Sequence, residues 1–211
     1  MTLSLLLPVL TLLGCDEAEI RPPPVWTEPE TVDTGPADPT GAAPAVRADL
    51  KLKRWRQVHL DLQGALALSD DQVCKETGLY DCAELHGVSM GGISVANGLF
   101  EPREDRGVTT GLAIERLTLA GCWNRLVLDR DGTDPVVFKH IDLAEDVPTR
   151  EQAEAQVIEL TRRFWARDPT PLELQAIIVL HNDLHLVGGG NAEWALMSCW
   201  ALGTSTEALL Y

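Results

Sequence analysis

The segment from Cys15 to Val46 limits how much of this chain can fold. It contains seven prolines and seven acidic residues but only one arginine. Such a composition buries too little apolar surface to offset the entropy lost when a chain becomes ordered. We therefore predict an extended acidic tether over residues 15–46. The remaining residues, 47–211, are long enough for one well-filled hydrophobic core and not for two.

The first fourteen residues have the pattern of a secretory signal. They carry no charged side chain, and their apolar run from Leu3 to Leu13 is too short to span a bilayer as a mature helix. The run leads into Leu12-Leu13-Gly14-Cys15, which resembles the lipobox of bacterial lipoproteins. This resemblance implies that residues 1–14 are a signal peptide and that Cys15 becomes the acylated, palmitate-bearing first residue. We expect a membrane-anchored protein on the periplasmic side of the cell envelope.

Charge limits the partners of this chain. Its net charge is −15, and no basic patch is apparent that would neutralise phosphates, which argues against nucleic acid and against attraction to anionic headgroups. The expected partners are the membrane, through the lipid anchor, and an unidentified envelope protein. Asp16 resembles an inner-membrane retention signal of enterobacteria, but the sequence leaves the inner and outer membranes both open. We expect no cofactor.

Four cysteines remain when Cys15 is assigned to the anchor, and an even number in an exported chain predicts two disulfides. They are Cys74, Cys82, Cys122 and Cys199. Three connectivities are compatible with four cysteines. The pairing that we favour joins Cys74 to Cys82, within a region of irregular pattern, and Cys122 to Cys199, between two predicted helices.

Hydrophobic periodicity predicts helices over most of residues 47–211. Apolar residues recur at helical spacing in 49–68, and the pattern from 69 to 105 is irregular. Thr109-Thr110 precede a further expected helix, which runs from Gly111 to about Leu126. The favoured turn pair Asp131-Gly132 predicts a short hairpin instead, which competes with that helix for residues 126–128.

Capping signals delimit the helices of the last third. Thr149 with Gln152, and Thr170 with Glu173, form capping boxes, while the glycines at 188–190 end a helix and Asn191 is expected to cap the last one. Short connections between helices favour antiparallel packing. The predicted fold is a mainly α antiparallel bundle with a loop-rich, disulfide-pinned insertion.

The sequence Gly87-Val-Ser89-Met-Gly91 matches the G-x-S-x-G pattern of a hydrolase nucleophile elbow. An elbow requires a strand immediately before the serine and several earlier strands, and neither is apparent. We therefore predict that Ser89 is a turn residue and assign no catalytic residue. A small serine esterase that uses Ser89 is the alternative function.

Two histidine patterns raise the question of a metal or haem site. His181 and His185 share a helix face, but Asp183 points away from it, so we predict a solvent-facing helix end and assign no metal ligand. His86 and Met90 lie one helical turn apart, and no C-x-x-C-H sequence accompanies them. A haem- or metal-binding electron-transfer accessory is the remaining alternative.

Two stretches of the chain resemble a family of helical domains of unknown function associated with planctomycete-type cytochrome c proteins. "RQVHLDLQGALALSDDQV", residues 56–73, is similar to the opening of such domains, and "RRFWARDPTPLEL" with "WALMSCWALGTSTEALLY" is similar to their closing portion. The resemblance implies a helical exported module without an established activity. It favours a non-catalytic accessory or interaction module.

Overall fold

The computed structural model describes residues 50–76, 79–101 and 107–210. The predicted signal peptide, the lipobox with Cys15, Asp16 and the tether lie outside the described residues. The prediction of a mainly helical domain is confirmed. The helices and strands are α1 (Trp55–Leu66), α2 (Asp70–Val73), β1 (Lys75–Glu76), β2 (Tyr80–Asp81), α3 (Cys82–His86), α4 (Val108–Asp131), α5 (Arg150–Trp165), α6 (Pro171–Leu186), α7 (Asn191–Gly203) and α8 (Thr206–Leu209). In the described part of the chain, none of the helices is both long and apolar enough to cross a membrane.

The hydrophobic core lies where α4 meets α1, α2 and α7, and where α5 packs against α1, α6 and α7. Leu66, Leu117, Leu160 and Trp194 are fully buried there. Gly121 allows the close approach of α4, because a Cβ atom at this position would lie 3.1 Å from Leu66 Cδ1 and 3.3 Å from the Val73 carbonyl oxygen. The first helix and the fourth can therefore share one apolar interior.

Helix α1 starts later than its sequence pattern indicates. The preceding residues are extended, since Leu52 forms an antiparallel bridge with Leu210 and the Lys53 amide donates to the Leu209 carbonyl, at 2.8 Å. The Lys53 ammonium donates to the Ala208 carbonyl at 2.8 Å. These contacts with the end of the described chain satisfy backbone groups that a longer helix would have used internally.

The hairpin predicted around Asp131-Gly132 does not form. Helix α4 continues through residues 126–128 to Asp131, and the Gly132 amide still donates to the Leu128 carbonyl at 3.0 Å. Strands β1 and β2 instead form a short antiparallel pair, inside the region expected to be irregular. The helix prevails because its last turns present Asp129 to the protein interior.

Asp129 organises the long irregular segment that follows α4. Its carboxylate accepts hydrogen bonds from the backbone amides of Val136, Val137 and Phe138 at 2.8, 2.9 and 2.8 Å. It also pairs with Arg125, one helical turn earlier, at 2.7 Å, and its side chain is fully buried. Three backbone donors that lack a secondary-structure partner are thus satisfied by one charge.

Two further buried side chains hold the same segment. Gln156 on α5 donates to the Val137 carbonyl at 2.9 Å and accepts from the His140 amide at 3.2 Å. Asn191 donates to the Asp142 carbonyl at 2.8 Å and is fully buried. The prediction that Asn191 caps α7 is wrong, because the N-cap of α7 is Gly190. The side-chain amide of Asn191 binds the irregular segment instead.

We expect Asp129→Asn to lower the free energy of unfolding by about 3–5 kcal/mol, since it breaks a buried ion pair and turns an amide group toward three backbone donors. Denaturant unfolding would measure the change. The matched control is Asp131→Asn, whose side chain is 63% exposed, and it should change stability by less than about 0.5 kcal/mol. Equal effects of the two substitutions would contradict the role given to Asp129.

Both predicted capping boxes are present. Thr149 Oγ1 accepts from the Gln152 amide at 3.2 Å, and Thr170 Oγ1 accepts from the Glu173 amide at 3.3 Å. Arg167 also binds Glu173, because its two terminal nitrogens donate to the Glu173 carboxylate oxygens at 2.8 and 2.7 Å. Arg167, followed by the Thr170 amide, lowers the pKa of Glu173 from its ordinary value of 4.5 to about 2.

A carboxyl group with a lowered pKa in the folded state stabilises the protein above its ordinary pKa and loses this contribution as the pH falls through the folded value. The stabilisation from Glu173 should therefore be complete above pH 4.5 and disappear toward about pH 2. We expect Glu173→Gln to lower the melting temperature at pH 7 and to differ less from the wild type at pH 2. Asp183→Asn, an exposed change on the same helix, is the control, and an equal deficit of Glu173→Gln at both pH values would be contrary to this assignment.

Candidate functional site

An open groove of about 790 Å³ follows the outward face of α4. Its apolar wall consists of side chains from α4 and one from α7. They are Leu119, Ala120, Trp123, Val127, Leu128 and Leu196. Trp123 is 49% exposed and Leu119 is 42% exposed. A groove of this volume and composition has the character of a binding site for an apolar surface.

The groove exists because α4 is apolar on two opposite sides. Its inward side buries Ala113, Ile114 and Leu117 in the core. Its outward side repeats apolar residues at helical spacing, including Leu119 and Trp123. Large exposed apolar patches are uncommon on monomeric proteins, so this face of α4 is the candidate site.

Polar side chains from α2, β1 and α4 also line the groove. They are Asp71, Gln72, Lys75, Arg116 and Asn124. Asn124 donates to the Gln72 carbonyl at 2.7 Å and so fixes α2 against α4. The Ser69 hydroxyl lies 2.6 Å from Asp71 Oδ1 and is the main cause that lowers the pKa of this carboxyl group.

Both cysteine pairs are next to the groove. The structure pairs Cys74 with Cys82, at a Cα–Cα distance of 5.6 Å, and Cys122 with Cys199, at 5.9 Å, which are the pairings favoured from the sequence. Cys74 precedes the lining residue Lys75, and Cys122 precedes Trp123. The segments that line the groove are therefore joined covalently to neighbouring parts of the fold.

Chemically, this arrangement is suited to binding. Among the described residues, its lining consists of apolar side chains, two cations, one acid and two amide side chains, without serine, cysteine or histidine. The acid among them, Asp71, accepts a hydrogen bond from Ser69.

Ser89 lies in a turn that follows helix α3, and no strand enters this turn in the described residues. The Ser89 carbonyl accepts from Thr110 Oγ1 at 2.7 Å, which ties the turn to the start of α4. Gly91 has a φ of +80°, and a Cβ at Gly92 would lie 2.6 Å from the Gly87 oxygen. The three glycines of this stretch are thus used for a tight turn, as the sequence predicts.

His181 and His185 have different surroundings. His185 is exposed, but His181 is only 6% exposed, so the expectation of a solvent-facing helix end is wrong for this residue. Its ring meets Trp194 edge-on at 5.5 Å, because α6 packs along α7. Met90, the proposed partner of His86, is fully buried in the core. Over the described ranges, no three His, Cys, Asp or Glu side chains are grouped as metal ligands.

The stretches that carry the family resemblance contact one another. Arg163 donates to the Ala65 carbonyl at 3.1 Å, which joins the closing stretch to the opening one. Trp165 Nε1 donates to Ser205 Oγ at 2.8 Å, and Arg167 lies over the Trp165 ring at 4.7 Å. These residues have structural roles in the packing of α1, α5 and α8.

Comparison with known proteins provides no relative: no family model matches the chain, and no curated protein or solved structure matches it. The candidate site therefore rests on geometry. The groove was not predicted from the sequence, because the patterns considered there were catalytic and metal-binding motifs. The signal that was present is the surplus of apolar residues on α4, with Leu112, Leu119 and Trp123 left over after one helix face is assigned to the core.

The two disulfides should differ in their effect on stability. In the chain-entropy relation, closing a loop of 77 residues stabilises by about 4–5 kcal/mol, and a loop of 8 residues by about 2–3 kcal/mol. We expect Cys122→Ser with Cys199→Ser to cost more in denaturant unfolding than Cys74→Ser with Cys82→Ser. A larger loss of stability without the Cys74–Cys82 bond would contradict the larger contribution expected from the Cys122–Cys199 bond between α4 and α7.

Proposed function

We propose that this protein is a cell-envelope lipoprotein, anchored on the periplasmic side through acylated Cys15, that acts as a non-catalytic accessory or interaction module. The lipobox sequence and the acidic, proline-rich segment that follows it support the anchor. The resemblance to exported helical domains supports the class of module. The finer arrangement that we propose for its helices is an antiparallel bundle, favoured by the short connections on either side of α6.

The observation that carries this proposal is the apolar groove on α4. Trp123 and Leu119 are each more than 40% exposed and lie one helical turn apart on α4, whereas Trp194 of the same domain is completely buried. Leaving such a surface in water is unfavourable, at about 25 cal/mol for each Å² of apolar area. A partner that covers it recovers this free energy, and that is the behaviour of an interaction module.

The anchor is tested by growing cells with radiolabelled palmitate and isolating the full-length chain. We expect label in the wild-type protein and none in Cys15→Ala, because the lipobox cysteine supplies the acylated sulfur. Absence of label from the wild type would refute the anchor. A fluorophosphonate probe that labels the native protein but not Ser89→Ala would favour the serine esterase instead.

The interaction surface is tested by hydroxyl-radical footprinting of the full-length chain in native envelope vesicles and, after purification, in phospholipid nanodiscs. We expect oxidation of Trp123 and Leu119 to be severalfold lower in the native envelope, since a partner covers the groove there. Phe100 and Leu172, exposed at 69% and 81%, are the control positions. Equal oxidation of Trp123 in both preparations would contradict a role as an interaction module.

A further inference from the structure

We infer that the loop formed by residues 93–100 inserts its apolar tip into the surface of a net-neutral phospholipid bilayer. None of the residues of this loop, called here loop 93–100, lines the groove on α4, so the inference goes beyond the proposed interaction surface. It draws on the proposed anchor for one step, which is the distance between the domain and the membrane. Its basis is the exposed apolar side chains of the loop, the internal hydrogen bonds of its backbone and its lack of charge.

Three large apolar side chains of loop 93–100 are exposed. Ile93 is 54% exposed, Val95 65% and Phe100 69%. An antiparallel bridge pairs Ser94 with Leu99. Ile93 and Phe100 directly flank this pair, so the antiparallel register places them opposite each other. Single exposed apolar residues are normal on a protein surface, but three on one closed loop are a cluster of the kind that marks contact with a protein or a membrane.

The base of the loop is fixed to the core. Met90 is fully buried, and its carbonyl accepts a hydrogen bond from the Trp55 amide at 3.1 Å. The Ser89 carbonyl accepts from Thr110 Oγ1 at 2.7 Å. The exposed tip therefore extends from a fixed support, which lowers the entropy lost when it binds.

Polar groups of the loop bond to one another. The amides of Ser94 and Leu99 each donate to the carbonyl of the other residue at 2.9 Å. The Asn97 amide donates to the Ser94 carbonyl and the Gly98 amide to the Val95 carbonyl, both at 3.1 Å. The Asn97 side chain donates to Ser94 Oγ at 3.0 Å. Because lipid offers backbone groups no replacement for water, a segment that enters a bilayer needs such internal bonds.

Charge selects a net-neutral surface. Residues 87–100 contain no acidic or basic side chain, although 23% of the residues of the chain are charged. Residues 47–211 as a whole have 16 basic and 25 acidic residues, a net charge of −9. A layer of anionic headgroups would repel this domain, whereas a zwitterionic layer carries no net charge. The uncharged tip can therefore approach a zwitterionic bilayer without electrostatic opposition.

The proposed anchor would keep the loop near a bilayer. Residues 16–49 separate the lipobox cysteine from Leu50, the first described residue. A flexible coil of this length has an end-to-end distance of about 30–35 Å, and polyproline II would extend it to about 100 Å. Tethering within this range raises the effective concentration of the bilayer, so a weak contact by the loop is sufficient.

A protein partner matches these observations less well. Protein interfaces carry about one hydrogen bond per 100–200 Å², whereas the Ser94 and Asn97 side chains bond to each other. A bilayer accepts an apolar tip without hydrogen bonds or a complementary shape. A second copy of the chain would bring a second domain of net charge −9, and like charges repel.

Photo-cross-linking in phosphatidylcholine vesicles tests the contact with lipid. The full-length chain would have p-benzoylphenylalanine at position 100, with positions 172 and 186 on α6 as controls, where the native leucines are 81% and 84% exposed. We expect a severalfold higher yield of lipid adduct at position 100 than at either control, although both controls are more exposed. Equal yields would overturn the inference, because lipid would then reach any exposed side chain.

The same variants in the native envelope distinguish lipid from protein. We expect phospholipid to be the main adduct of position 100. A main adduct with another protein, or with a second copy of the chain, would overturn the inference in favour of a loop that docks on protein.

Acidic substitutions in the loop provide the second readout. We expect Ile93→Asp together with Val95→Asp to reduce the lipid adduct of position 100 severalfold in these vesicles, because a carboxylate is costly to bring into a bilayer. Leu172→Asp with Leu186→Asp makes the same change of charge at exposed leucines and should leave the yield unchanged. Unchanged thermal unfolding of both variants would establish that they fold. Full yield in the loop variant, or an equal reduction in the control, would refute insertion.

Lipid charge provides the third readout. Replacing phosphatidylcholine by phosphatidylglycerol should lower the adduct yield of position 100 at low salt, because an anionic surface repels the acidic domain, and added salt should restore it. A higher yield on phosphatidylglycerol would contradict the choice of a net-neutral surface.

These outcomes separate the inference from the proposed function. A chain that takes up palmitate but gives no lipid adduct at position 100 would keep the anchor and remove the inference. A chain that takes up no palmitate, but whose position 100 reacts with lipid of added vesicles, would remove the anchor and sustain the inference.

Discussion

The pairing of α4 with α7, joined by Cys122 and Cys199, is the contact on which the rest of the described structure depends. Helix α4 has 24 residues and also packs against α1 and α2, so its inward face defines the position of the core. The covalent link closes a long loop and keeps the two helices in register. Because one face of α4 is buried in these contacts, the opposite face remains exposed and forms the groove.

A second constraint is the need to satisfy backbone groups in the irregular segment between α4 and α5. Asp129, Gln156 and Asn191 each reach this segment from a different helix and bind its amides or carbonyls. Buried polar groups without partners are costly, so these three side chains determine the path of the segment. The segment can then contribute the buried side chains of Val137 and Phe138 to the core.

Residues that look reactive in the sequence and residues that form the candidate site are different sets. Ser89 lies in a glycine-rich turn, and His181 packs edge-on against Trp194. The groove residues, by contrast, belong to none of the catalytic or metal-binding patterns, because an apolar binding surface requires only shape and exposure. Motifs indicate chemistry that depends on particular atoms. They do not indicate an apolar binding surface, which depends on which side chains remain exposed in the fold.

The sequence by itself determined the features that rest on local interactions. The capping boxes at Thr149 and Thr170 were predicted correctly because each needs only side chains three residues apart, and the helical character of the domain follows from short-range periodicity. The favoured cysteine pairing followed from the order of the predicted elements.

Tertiary structure alone decided the features that depend on distant neighbours. The continuation of α4 to Asp131 depends on amides seven to nine residues beyond Asp129, and the role of Asn191 depends on a carbonyl 49 residues away. The groove is a property of three separate segments brought together around α4. Which apolar residues stay exposed is set by what packs elsewhere, and no local pattern contains that information.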